Sequence, residues 1–203
     1  MSFGYPDSRY RNVIGERDPR IGCRGEARAN HCYTRGMSEG PEPRAAFDAL
    51  VAAADAPIVI VTAAVDDERA GCVVGFATQV AIEPPRFLVC VSRANHTYGV
   101  ARRAHHLGVH LVDRENIALA QLFGAETGDE MDKFSWCRWY VGPHGAPLLE
   151  EAAAWFVGRV VARHDFGDHE GVVLAPEYGA GPGAPVTALR YHDVADLEPG
   201  HPS

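Results

Sequence analysis

The sequence predicts a mainly β domain with short helices, its antiparallel strands closing or nearly closing into a barrel. Three observations predict it. Short apolar or alternating runs recur from residue 58 to residue 191, separated by turns rich in Gly, Pro and Asp. Helical spacing is confined to short stretches. Neither a long-period repeat nor a regular alternation of strand and helix is present. At 203 residues the chain is long enough for one domain with a sizeable core.

Residues 1–42 differ from the rest of the chain. They are rich in Arg, Gly and Asp, poor in large aliphatics, and hold no sustained period, so little burial can offset their ordering entropy. They are expected to be a tail, disordered or loosely packed, with Met37 as an alternative start. Cys23, His31 and Cys32 lack the paired spacing of a zinc site. Regular structure is expected over 43–195, with a short C-terminal tail at 196–203.

The first element is a helix over 43–54, with Phe47, Leu50, Val51 and Ala54 at helical spacing. Pro57 ends it. The β-branched run Ile58–Thr62 is a buried strand, and Gly71–Phe76 is its hairpin partner across the polar turn Asp66–Arg69. Val80–Ile82 is strand-like, Glu83-Pro84-Pro85 a turn, and Phe87–Val91 a central strand. A helix over 97–104 comes next, with Asn95 or His96 as N-cap. Leu107–Val112 is a strand and Asn116–Gly124 a helix. The aromatic, polar stretch 128–140 suits a short helix and loop over a pocket. After a turn at 142–147, Leu148–Arg163 reads as one long strand, paired through a turn at 165–168 with Glu170–Ala175. Residues 179–185 are a loop and Val186–Tyr191 a last strand.

Composition narrows the function classes. The net charge of −8 gives no global attraction to nucleic acid or anionic lipid. No window approaches the run of about 18 apolar residues expected of a membrane span, and the N-terminus does not read as a secretory signal. Five cysteines without a CxxC pair suit a reduced, cytoplasmic protein, with Cys72 and Cys90 as buried small hydrophobes. The dinucleotide fingerprint, the Walker A lysine, the GxSxG elbow and HExxH are all missing. His105 and His106 are adjacent on a strand, point to opposite faces and cannot share a metal; no metal ligands are assigned.

The candidate site is Gly71–Thr97, GCVVGFATQVAIEPPRFLVCVSRANHT. Two loops flank the buried strand. Gly75-Phe76-Ala77-Thr78-Gln79 offers a close backbone, a hydroxyl and an amide. Ser92-Arg93-Ala94-Asn95-His96-Thr97 offers hydroxyls, an amide, an imidazole and a helix start, and Arg93 can neutralise phosphate charge. Such a pair of loops can hold a phosphorylated cofactor without a lysine cluster. Each loop alone also reads as an edge strand or a helix cap.

The run GFATQVAIEPPRFLVCVSRANHT resembles the flavin-binding core of the flavin reductase-like family, the FMN-binding split barrels. Gly142-Pro143-His144-Gly145-Ala146-Pro147 and the turn Asp165-Phe166-Gly167-Asp168-His169 add to the resemblance, which covers roughly residues 44–192. It implies an antiparallel split β-barrel of the FMN-binding type and an NAD(P)H:flavin oxidoreductase. The cofactor would be FMN, with FAD as the alternative, and NAD(P)H the co-substrate. On these positions, Val74 through Gln79 would line the ring and ribityl chain. Ser92, Arg93, Asn95, His96 and Thr97 would hold the phosphate end, and Phe134 or Trp136 would cover the pocket edge. His169 would stand on the nicotinamide side as the catalytic candidate, against the plain alternative of a solvated turn histidine. The resemblance also implies a homodimer and a partner monooxygenase fed with reduced flavin. Gly75, Phe76, Ala77 and Gln79 stand where the family often has Ser or Thr, so backbone amides would do more of the holding. Two other readings stay open: a non-catalytic flavin- or haem-binding protein on the same fold, and a pyridoxine-type or deazaflavin-dependent oxidoreductase.

Overall fold

The computed structural model describes residues 42–125 and 131–195. The expected tails at 1–42 (all but Glu42) and 196–203, and part of the stretch 128–140, lie outside the described residues. The chain divides into Met1–Ala45 and Ala46–Ser203, and the sheet belongs to the second unit. Helix α1 spans Pro43–Ala54 and leaves Phe47, Leu50 and Val51 exposed.

Seven strands form one antiparallel sheet. They are β1 (Val59–Val65), β2 (Glu68–Val74), β3 (Ala77–Ala81), β4 (Arg86–Ser92), β5 (His106–Leu111), β8 (Ala154–Asp165) and β9 (His169–Ala180). Their order is β2-β1-β5-β8-β9-β4-β3. A two-stranded piece pairs β6 (Trp139–Val141) with β7 (Pro147–Leu149). The sheet curls, so that Ala70, Cys72 and Val74 of β2 share one core cluster with Val89 and Val91 of β4. Its two end strands, β2 and β3, are not hydrogen-bonded to each other. This open curl is the expected antiparallel split barrel.

Helix α2 (His96–Ala101) plugs this core with Val100 and Ala101. On the other face, α3 (Ile117–Ala125) builds a second cluster with Ile58, Ile60, Phe134, Leu149 and Leu189. β1 is therefore covered on both sides. Val59, Val61 and Ala63 enter the first cluster and Ile58 and Ile60 the second, which explains its unbroken apolar run.

The sequence reading and the structure part in several places, among them β2, which starts at Glu68 inside the expected turn, and β9, which runs on to Ala180 beyond the expected end at Ala175. The expected strand 148–163 is two strands: Pro147–Leu149 pairs with β6, and β8 starts only at Ala154. Leu148 and Leu149 are buried, so the chain turns at 150–153 to seat them before re-entering the sheet. The expected strand 186–191 makes only isolated bridges, Asp113–Ala188 and Pro57–Arg190, and passes into helix α4 (Tyr191–Val194). It is anchored through Leu189, whose carbonyl accepts from Ile58 N–H at 3.0 Å. Finally, Cys90 is only half-buried, whereas Cys72 is fully enclosed.

Candidate active site

Three loops meet at one end of the sheet: 75–76 between β2 and β3, 93–95 between β4 and α2, and 166–168 between β8 and β9. The backbone binds them together. Cys90 N–H donates to the Phe76 carbonyl at 2.9 Å, and Arg93 N–H donates to the Asp168 carbonyl at 2.9 Å. Ser92 stands opposite His169 in the β4–β9 register. The tight 166–168 turn uses Gly167 at φ 92°, a conformation costly for side-chain-bearing residues, and Asp165 Oδ1 accepts from Gly167 N–H at 2.8 Å.

Side chains converge on the same spot. The Phe76 and His169 rings meet edge-on with centroids 5.3 Å apart, and Phe76 is 59% exposed. His169 Nδ1 lies 3.0 Å from Asp168 Oδ1. That contact holds the Asp168 carboxyl below its ordinary range and assigns Nδ1 as the donor. The Arg93 guanidinium reaches Asp165 at 3.1 Å and lies over the Tyr98 ring at 5.7 Å. On the adjoining strand β3, Thr78 and Gln79 are exposed and Ala77 is half-buried. Thr78 Oγ1 makes only a marginal 3.5 Å contact to the neighbouring carbonyl of Gln79, while Gln79 Nε2 donates to the Ala81 carbonyl at 3.0 Å.

The remaining candidates take other places. Val74 is buried in the core behind the loop. Asn95 is the N-cap of α2, its Oδ1 accepting from Thr97 N–H at 2.9 Å. Thr97 is buried and hydrogen-bonds the Cys72 thiol, which burial pushes up to about 11. Neither Thr97 nor Cys72 is presented to a ligand. His96 faces a cleft of about 360 Å³ that it shares with Arg69, Gly71, Asp132, Lys133 and Phe134. Phe134 forms the inner wall of that cleft, packed edge-on against Phe123 and Trp139. Trp136 follows the 3-10 turn Lys133–Ser135, is 72% exposed and borders α3 beside Gln121 and Leu122. The structure thus gathers Phe76, Ser92, Arg93 and His169 and sets Thr78 and Gln79 beside them; Gly75 precedes Phe76 in its loop, with Tyr191 the nearest side chain to its open position at 3.9 Å. Phe134 stands with His96 in the neighbouring cleft, and Trp136 is separate.

Two side chains that meet the candidate residues were not singled out from sequence. Asp168 orients His169 and Asp165 pairs with Arg93. The signal for both lay in the turn D-F-G-D-H, where acidic residues on either side of a glycine flank the histidine.

Comparison with known proteins gives the family. Residues 52–193 match the flavin reductase like domain family. The FMN reductase (NADH) RutF of Variovorax paradoxus strain S110 is 31% identical over 158 residues, 75% of this chain and 87% of that protein. The reductase component of 4-nitrophenol 4-monooxygenase/4-nitrocatechol 2-monooxygenase from Rhodococcus opacus is 30% identical over 151 residues, 74% and 80% of the two chains. Among solved structures, a flavin reductase domain protein from Arthrobacter sp. FB24 superposes with a TM-score of 0.66 at 26% identity, covering 74% of this chain and 91% of that one.

Proposed function

We infer the function from one premise: the chain belongs to the flavin reductase-like family. It is an NAD(P)H-dependent flavin reductase, moving hydride from the nicotinamide to FMN, with FAD as the alternative. The observation that carries this reading is the meeting of Phe76, Ser92, Arg93 and His169 on one shelf. Two relatives whose names specify flavin reduction or the reductase component of a monooxygenase support it.

The donor set fits a flavin mononucleotide. Arg93 brings positive charge and Ser92 a hydroxyl for the phosphate, with His96 at the same helix start. Thr78 and Gln79 offer a hydroxyl and an amide along the exposed edge. The exposed face of Phe76 offers an aromatic wall for a flat ring, and the backbone from Val74 to Ala77 runs beside it. Asn95 and Thr97 act indirectly, by fixing the loop and the start of α2. Phe134 closes the His96 cleft from behind, and Trp136 is not assigned to the flavin.

When bound, flavin supplies the electron-accepting ring, so the protein needs no acid or base to move the hydride itself. The chain's own task is to hold two flat rings at a productive distance. His169, oriented by Asp168, forms the side of the shelf where the nicotinamide stacks. The exposed edge strand β3 and the exposed Phe76, Val80 and Ile82 favour a second copy of the chain covering this side. By likeness to the Rhodococcus opacus relative, the reduced flavin serves a partner monooxygenase. The free cysteines suit a cytoplasmic setting; among the described residues no helix is long and apolar enough to cross a membrane.

The test is an anaerobic titration of the flavin-loaded protein with NADH and, separately, NADPH. Bleaching of the flavin absorbance is expected with at least one of them; no bleaching with either sinks the reductase reading. His169→Ala is expected to keep flavin binding and lose turnover by up to about 100-fold, the scale of a misplaced reactant. An unchanged rate would remove His169 from the site.

A further inference from the structure

At the other end of β9 a second group of side chains converges, and the flavin chemistry does not use it. His106 begins β5, Glu177 lies on β9, and His144 sits in the 3-10 turn Pro143–Gly145. Their ligand atoms all lie within 4.8 Å of one another. Glu177 Oε2 is 3.1 Å from His106 Nε2 and 3.7 Å from His144 Nε2. We propose that His106, His144 and Glu177 form a binding site for a divalent transition ion of the zinc type, with two imidazoles and one carboxylate as protein ligands and the remaining positions left to water.

Two local irregularities bring these side chains together. In the β8–β9 ladder Val157 pairs with Tyr178 and Gly158 with Pro176, so Glu177 is the extra residue of a bulge. A bulge re-aims a side chain that regular alternation would send elsewhere. His144 has φ 55°, a left-handed conformation uncommon for a residue other than glycine. Strain of that kind in a short turn is held where surrounding contacts fix it. Here it lays the His144 ring flat on His106, with centroids 3.7 Å apart and planes 3° from parallel.

The spacing suits the chemistry. In a tetrahedral site with bonds of about 2.0–2.1 Å, neighbouring ligand atoms stand about 3.4 Å apart. The two nitrogen–oxygen separations bracket that value. Parallel rings cannot aim both lone pairs at one point, so the ion requires His144 to splay. That side chain is 41% exposed and lies on a surface turn. Glu177 is already prepared as a ligand. Arg159 Nε donates to its Oε1 at 2.8 Å, which leaves Oε2 facing the imidazoles. His106 and His144 also border an open cleft of about 530 Å³, with Arg103 and His105 on its wall, so an ion and its waters can enter. Two imidazoles and one carboxylate suit zinc and its neighbours rather than magnesium or calcium.

Glu177 lies eight residues along β9 from His169, about 26 Å at the rise of a strand. An ion there does not touch the flavin shelf. It joins β5, β9 and the Pro143–Gly145 turn, and its effect falls on stability rather than turnover.

The experiment uses the full chain, tag-free and stripped of metal with a chelator, titrated with Co²⁺ alone and with Zn²⁺ alone. Expected are visible d–d bands at one Co²⁺ per chain without a cobalt–thiolate band, and a rise in Tm of about 5 °C or more with saturating Zn²⁺. His144→Gly removes one ligand while relieving the left-handed backbone, so it folds. It is expected to weaken Co²⁺ binding by at least about tenfold and to leave flavin reduction unchanged. Glu177→Gln is expected to weaken binding similarly. Binding that persists in both variants, a thiolate spectrum, or no binding at 100-fold molar excess each overturns the proposal.

Discussion

Strands β1 and β3 belong to one sheet and occupy opposite kinds of position. β1 lies between β2 and β5 with apolar clusters on both faces, and its residues Val59 to Ala63 are all buried. β3 is the end strand beyond β4, and none of its residues is fully buried. The sequences show the contrast: Val-Ile-Val-Thr-Ala against Ala-Thr-Gln-Val-Ala. The β1 half is scaffold, saturated by its own packing. The β3 half keeps hydroxyl, amide and aromatic groups uncovered for what binds there.

The largest expected effect breaks the comparison directly. Ile60 is fully buried in the second cluster, so Ile60→Ala is expected to cost about 2–5 kcal/mol in urea unfolding. Val80 is exposed on β3, and Val80→Ala should stay within about 0.5 kcal/mol when the protein is dilute enough to be monomeric. Equal costs at the two positions would mean that β3 is part of the monomer's core after all.

His110 sharpens the contrast through pH. It is buried in the scaffold half, its Nδ1–H donating to the Ile60 carbonyl at 3.2 Å and its Nε2 accepting from Leu149 N–H at 3.3 Å. Burial pushes its pKa down to about 4. Between the ordinary value near 6.5 and that value, the unfolded chain binds more protons than the folded one. Stability is therefore fully present above about pH 6.5 and falls as the pH drops through this window, by about 3 kcal/mol at its foot. Urea unfolding at pH 7 and pH 4.5 measures this. His110→Leu should be less stable at pH 7 yet lose clearly less on acidification, and an equal loss would place the acid sensitivity elsewhere.

The same contrast explains what could be read from sequence. β1, β4 and the Asn95 cap were legible because their signals are local: an unbroken apolar run, or a capping side chain two residues before the N–H it accepts from. The break at 150–153 was not, because Leu149 is held by His110, far away in the chain. Nor was the His106–His144–Glu177 group. His105 is not on a strand with His106 as expected: β5 begins at His106, and both imidazoles border one cleft; the second imidazole of the group comes from a turn 38 positions on, and Glu177 arrives by a bulge. In the shelf, the loops were legible from their residue types. Which of two aromatics at a 3-10 turn faces inward, Phe134 or Trp136, was not, since that depends on Phe123 and Trp139.

The smallest expected effect tests the shelf itself. Phe76 is exposed and touches His169 edge-on, so the folded chain loses little when the ring is removed. Phe76→Ala should leave urea stability within about 0.5 kcal/mol, as for other surface positions. A flat ligand ring stacked there loses an aromatic contact of about 0.5–1.5 kcal/mol, which is about two- to tenfold in Kd for FMN. Fluorescence titration of FMN measures it, with Ile82→Ala as the control because Ile82 is exposed just beyond β3. If Phe76→Ala binds FMN as tightly as the parent while Ile82→Ala does not, the flavin lies along the outer edge of β3 and not on the shelf beside His169. If Phe76→Ala alone weakens binding, the division between a scaffold half and a ligand half holds at the residue where the two loops meet.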